Sequence, residues 1–242
     1  MSTCYACVKV AVTSEHVPPQ CIFPEKKDLA EGMDLRRNLI TVPSCDDHNL
    51  RKSGDDEYLM YVLSMNLPAG EIAAHHFSTK IMRAIDRRPA LVNSLVKNNT
   101  PVIVKDRTTG ETYETSALEV DGQRVDRIFS NIALGIYFHH FNKRWEDNLR
   151  VQPNFLSFLH EPNAQQRNAQ IAELARYADQ FFADVEHFGE NPSVFTYQVV
   201  QPDRRIHALM RLNFYTGCKV TVFLGKSRGL QVTSVLGGLR YA

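Results

Sequence analysis

The sequence predicts an α+β chain in two parts: a small metal-bound module at the N-terminus, then a larger domain of helices and antiparallel sheet. Three observations predict it. Cys4, Cys7, Cys45 and His48 form two pairs, each with two residues between its members, the spacing of a tetrahedral zinc site. Between about residue 59 and residue 188 apolar side chains recur mostly at helical intervals, and from Val194 onward β-rich segments take over. At 242 residues, 43% of them hydrophobic, the chain is one large domain or two small ones with enough apolar content for a core. The metal frame places the division at residues 1–58 and 59–242.

In the first part, Val8, Val10 and Val12 alternate with Lys9, Ala11 and Thr13, the period of a half-buried strand, and lead into Glu15-His16. Pro18 and Pro19 end that strand and open a long polar loop that runs to Pro43. Ser44 with Asp47 three residues later is a capping-box signature, so a helix should begin at Cys45, with Asp46 and Asp47 suiting its dipole. Cys45 and His48 are three apart and share a helix face, while Asn49 sits ~100° further round. Knuckle, strand, histidine, loop and ligand-bearing helix follow one another in the order of a ββα-metal module. Roughly 55–60 residues bury too little surface to fold securely alone. A structural zinc, at about 10–16 kcal/mol of apparent binding energy, closes that gap. Cys21 has no partner at ligand spacing.

In the second part, helices are expected over Asp55–Asn66, Ala69–Ile85, Pro89–Lys97, Gln123–Trp145 and Glu161–Phe188. Strands are expected over Pro101–Lys105 and Glu111–Val120 around the turn at Thr109-Gly110, then over Val194–Val200, Ile206–Tyr215 and Lys219–Leu224. The doublets His75-His76 and His139-His140 offer one ligand each to any single site, because neighbours on a helix point ~100° apart, and a structural role is expected for both.

Net charge is +1, so the whole chain carries no electrostatic signature of a nucleic-acid binder. The C-terminal stretch is less neutral. From Asp203 to Ala242 there are seven basic residues (Arg204, Arg205, Arg211, Lys219, Lys226, Arg228, Arg240) against one acid, either a solvated tail or a phosphate-tracking surface. No secretory signal and no apolar run of the ~18 residues a membrane span needs is visible. Five cysteines, two of them in a C-x2-C pair, favour metal ligation in a reducing compartment over disulfides. A soluble cytoplasmic protein without a membrane partner is expected.

Chemistry concentrates between the zinc pairs. Glu15-His16 places a carboxylate beside an imidazole, and Asn49 brings an amide directly after the last zinc ligand. Phosphodiester hydrolysis needs an activated water and a Lewis acid on the phosphate. Histidine is tuned near neutrality for the first, and carboxylate with amide oxygen suits Mg²⁺ for the second. The string C-x2-C, Glu15-His16-Val17-Pro18, Asn38-Leu39, Pro43-Ser44-Cys45-x2-His48-Asn49, then Arg51-Lys52-Ser53 resembles the HNH endonuclease family in its zinc-stapled form, and most closely the endonuclease VII-like subgroup. The resemblance covers the first quarter of the chain.

It implies that His16 is the general base, that Asn38 braces the loop orienting His16, that Glu15 and Asn49 hold a catalytic Mg²⁺ or Mn²⁺, and that Cys4, Cys7, Cys45 and His48 hold structural Zn²⁺. Many relatives carry aspartate where this chain has Glu15, one methylene longer. Lys52 either neutralises a substrate phosphate or is a solvated lysine; Arg204, Arg205 and Arg211 are further candidate phosphate contacts. The implied substrate is DNA, and the sequence does not separate it from RNA. The rival reading is an inactive zinc-stapled module that binds nucleic acid or protein. Residues 59–242 would select substrate, receive a protein partner or second copy, or regulate.

Overall fold

The computed structural model describes residues 2–49, 53–66, 69–105, 109–201, 206–225 and 240–241. Near the N-terminus Cys4 N–H donates to Lys9 O at 2.9 Å and Ala11 N–H to Ser2 O at 3.0 Å, folding the first knuckle back on itself. Strand β1 (Thr13–His16) then pairs antiparallel with β2 (Thr41–Ser44), Glu15 opposite Val42 and His16 opposite Thr41. A four-residue helix, α1 (Asp46–Asn49), follows after Cys45.

Two sequence expectations fail here for physical reasons. The strand starts at Thr13, five residues later than the valine alternation implies, and Val8, Val10 and Val12 are 77%, 51% and 63% exposed. Val8 lies in the bend of the folded-back knuckle, and Val10 and Val12 follow it without a covered face, so the alternation does not mark one strand. The loop expected to reach Pro43 contains β2 instead. Val17 N–H donates to Ile40 O at 2.9 Å, which sets the alternation so that Pro43 falls at a non-hydrogen-bonded pair. Its missing N–H is not required, and its carbonyl, turned away from β1, accepts from Tyr5 N–H at 2.9 Å.

Beyond the N-terminal part come α2 (Ser53–Ser64), α3 (Gly70–His76), a π-helical segment over Phe77–Ile81, α4 (Met82–Arg87) and α5 (Pro89–Val96). The hairpin β3 (Thr100–Lys105) and β4 (Thr112–Ala117) precedes the short β5 (Val120–Asp121) and the long helix α6 (Gly122–Phe141). Asp121 caps α6 by accepting Arg124 N–H at 3.0 Å, and Asn142 ends it in the left-handed region. Trp145 therefore lies beyond the helix that the sequence extended to it.

Strand β6 (Asn148–Pro153), helix α7 (Ala164–Phe181) and strands β7 (Phe188–Asn191), β8 (Phe195–Val200), β9 (Ile206–Phe214) and β10 (Cys218–Gly225) follow. They form one antiparallel five-stranded sheet in the order β6-β10-β9-β8-β7. A final strand, β11 (Arg240–Tyr241), pairs with β5. The chain is thus mixed α and β with antiparallel sheets, and β6 and β7 are additions to the expected strands.

One continuous cluster of buried side chains runs from Cys4 and Tyr5 through Tyr58–Leu63 and the buried face of α6 to Leu224. Every residue of α2 from Tyr58 to Leu63 is buried, which makes it the central helix. The N-terminal part is tied into this core at several points. Arg144 Nη1 donates to Cys7 O at 3.1 Å, Asn191 Nδ2 to Arg37 O at 2.9 Å, and the Tyr215 hydroxyl to Ile22 O. A Cβ on Gly135 would lie 2.8 Å from both γ-carbons of Val17, so α6 presses against the residue after His16 with no room for a side chain. No helix among the described residues is long and apolar enough to cross a membrane.

Candidate metal centre

Two elements deliver the four sulfur and nitrogen atoms. Cys4 and Cys7 stand on the folded-back knuckle, and Cys45 and His48 on the single turn that begins where β2 ends. Their ligand atoms all lie within 4.8 Å of one another. His48 Nδ1 is 3.6 Å from Cys4 Sγ, 3.7 Å from Cys7 Sγ and 3.2 Å from Cys45 Sγ, and the Cys7 and Cys45 sulfurs are 3.7 Å apart. Zinc with Zn–S of about 2.3 Å and Zn–N of about 2.0–2.1 Å would space tetrahedral ligands by roughly 3.5–3.8 Å. The set therefore fits structural zinc in both chemistry and size. His48 beside the Cys45 sulfur brings that thiol's pKa down to about 6, while burial pushes Cys7 up. All five cysteines are free thiols, and Cys21 stays outside the cluster, its thiol on Asp56 O at 3.2 Å.

The residues assigned to catalysis lie along the β1–β2 hairpin and on α1 and the loop that flank it. Glu15 is 6% exposed, and its carboxylate accepts the Ser44 hydroxyl at 3.0 Å and the Tyr5 hydroxyl at 3.3 Å. Burial, then the charge of Glu15, pushes the Tyr5 pKa up, which keeps the phenol a donor. Asn49 Nδ2 donates to Thr13 Oγ1 at 3.2 Å, so the amide lies against the start of β1. Thr13 and Glu15 share a strand face about 7 Å apart, and Asn49 therefore meets the face that carries Glu15. His16 ends β1, half-buried, and its Nδ1 is buried with no hydrogen-bond partner among the described residues. Asn38 has φ 48°, a left-handed turn at the foot of β2, and lines a small cavity with Val17, Pro18 and Ile40.

Sequence reasoning missed the residues that hold this arrangement. Ser44 is not a helix cap; its hydroxyl goes to Glu15, and Asp47, its expected capping partner, pairs with Lys9. Tyr5 lies inside the first knuckle, and nothing in a linear pattern shows that its hydroxyl would find a carboxylate ten residues on.

Arg211 requires correction as a phosphate contact. It is 2% exposed, beneath α7, with Nη1 on Asp179 at 2.6 Å, because its position in β9 turns it onto the covered face of the sheet. Lys52, Arg204 and Arg205 lie outside the described residues. The histidine doublets form no metal cluster among the described residues. His76 Nδ1 bonds the Tyr215 hydroxyl at 2.9 Å, and His140 packs on Phe188 and Tyr197.

Comparison of the chain with protein-family models, curated proteins and solved structures finds no match. The fold and the site together define a mixed α and β protein with antiparallel sheets and an N-terminal Cys3His cluster able to hold a metal ion.

Proposed function

We propose that this chain is a metal-dependent HNH endonuclease acting on DNA, with a zinc-stapled ββα-metal module at its N-terminus. The observation that carries the reading is the placement of His16. It ends a hairpin strand bracketed by the Cys3His cluster, and its Nδ1 is a buried nitrogen that lacks a partner. Such a nitrogen is suited to receive the proton of an attacking water. Asn49, directly after the last zinc ligand, turns its NH₂ to Thr13 and leaves its carbonyl oxygen as the ligand atom. Glu15 supplies a second oxygen ligand, its orientation set by Ser44 and Tyr5. These hard oxygen donors fit Mg²⁺ or Mn²⁺, and an ion bound there would polarise the scissile phosphate and stabilise the leaving oxygen.

A second reading, a zinc-stapled binding module without catalysis, is favoured by one observation: Glu15 is buried, with both carboxylate oxygens already accepting hydrogen bonds. One experiment separates the readings. Purified zinc-loaded protein is incubated with supercoiled plasmid and, in parallel, structured RNA, with and without Mg²⁺ or Mn²⁺, beside a His16→Ala control. Ion-dependent nicking that disappears in the control supports the nuclease. Cleavage confined to RNA moves the substrate, and binding without cleavage of either polymer leaves the module reading.

A further inference from the structure

The five-stranded sheet has two faces of opposite character. Register places Gln152, Thr221, Arg211 and Gln198 in one row across β6, β10, β9 and β8. The alternate row of Val151, Val222, Met210 and Val199 faces the apolar core. An antiparallel sheet with one polar face ordinarily turns that face to water. Here the four polar side chains are 4%, 2%, 2% and 3% exposed. Helix α7 is a poor apolar cover for them, since only Ile171 and Ala178 of its eighteen residues are buried.

Arg211 is the centre of this sequestered row. Its Nη1 binds Asp179 on the last turn of α7, and Lys219 binds the same carboxylate oxygen at 2.8 Å, so two cations share one acid. The Phe182 ring centroid lies 5.3 Å from the guanidinium carbon. Nε and Nη2, which together form the side-on fork of a guanidinium, are buried without a hydrogen-bond partner among the described residues. A buried fork with unmade hydrogen bonds is unfavourable unless something fills it, and its geometry matches two oxygens of a carboxylate or phosphate.

We infer that the polar face of the sheet under α7 holds a small oxyanion, bound side-on by Nε and Nη2 of Arg211. The ligand brings the negative charge that Asp179 alone does not supply to Arg211 and Lys219. The site is separate from the N-terminal metal cluster and does not depend on the chain being a nuclease.

The test is a thermal-shift titration of the whole protein with inorganic phosphate and, separately, acetate, against chloride at matched ionic strength. A saturable rise in Tm with one of the two, absent with chloride, is expected, and which anion produces it distinguishes phosphate from carboxylate. Arg211→Lys keeps the charge but removes the fork and should abolish the rise. Asp179→Asn, nearly isosteric and half-exposed, removes the competing negative charge and should tighten anion binding by about tenfold or more. Asp179→Asn also keeps the idea falsifiable should Arg211→Lys not fold. The inference is overturned by no anion-specific rise in the wild type, by an equal rise in Arg211→Lys, or by unchanged affinity in Asp179→Asn. A crystal structure grown in phosphate and acetate with only water at the fork would overturn it too.

Discussion

His16 and Glu15 are neighbours in sequence with opposite situations in the fold. The strand sends successive side chains to opposite faces, so Glu15 enters the packed side, where Tyr5 and Ser44 hold it, while His16 stays half-buried with Nδ1 unsatisfied. The carboxylate is fixed, whereas the imidazole keeps a nitrogen without a hydrogen-bond partner among the described residues, the division of labour that the proposed metal ligand and general base require. Replacement of His16 by Ala should lower plasmid cleavage by ~10²–10⁴-fold, the usual contribution of a general base, while zinc content and circular dichroism stay at wild-type values. Residual activity within a few-fold of wild type would mean that another group takes the proton. The glutamate-histidine pair was readable from the sequence, but the hydroxyls that orient the carboxylate were not. Tyr5 reads as a filler between two cysteines and Ser44 as a helix cap, and only the antiparallel pairing of β1 with β2 brings both to Glu15.

Elements were legible where a periodic signal was long. Helices α2 and α6, the hairpin β3–β4 and the closing strands lie where apolar spacing and turn residues put them. The failures cluster where the chain is short or the signal ambiguous. β2 was hidden by Pro43, whose tolerance depends on its position in the ladder. The helix expected over Glu161–Phe188 stops at Phe181, and the chain turns over the next residues and enters β7 at Phe188. The metal cluster was the most legible feature, since two ligand pairs at fixed spacing need only be brought face to face. Cys45 links β2 to α1, so Cys45→Ser should release the zinc, measured by elemental analysis, and loosen the hairpin together with the turn. Metal retention at full stability would disprove a four-ligand site. A contact between elements gives an independent check. Gly135→Ala forces a methyl against Val17 at 2.8 Å and should destabilise the protein by about 1–3 kcal/mol, the usual range for overpacking. Val17→Ala in the same chain should recover part of that loss in urea denaturation, and no recovery would place the strain elsewhere.

At the scale of the whole molecule, the N-terminal part and the rest share one core, and His76 is one of the groups that make them interdependent. It sits on α3, fully buried, and its Nδ1–H donates to the Tyr215 hydroxyl oxygen, because that hydroxyl's own proton goes to Ile22 O in the N-terminal part. Burial, reinforced by Lys80 and Arg36, lowers its pKa to about 3. The unfolded chain therefore binds a proton there more readily than the folded one. The neutral imidazole's contribution is fully present above the ordinary histidine pKa and falls as acid is added, by about 1.4 kcal/mol for each pH unit below ~6.5, until the folded pKa is reached. Urea denaturation of zinc-saturated protein at pH 7 and pH 5 should show wild type losing roughly 2 kcal/mol more than His76→Gln over that interval. Other acid-sensitive groups, the Cys3His cluster among them, act alike in both proteins and cancel in the difference. Equal losses in the two proteins would show that His76 is protonated in the folded state, and the link from α3 through Tyr215 to Ile22 would then have to tolerate a buried charge.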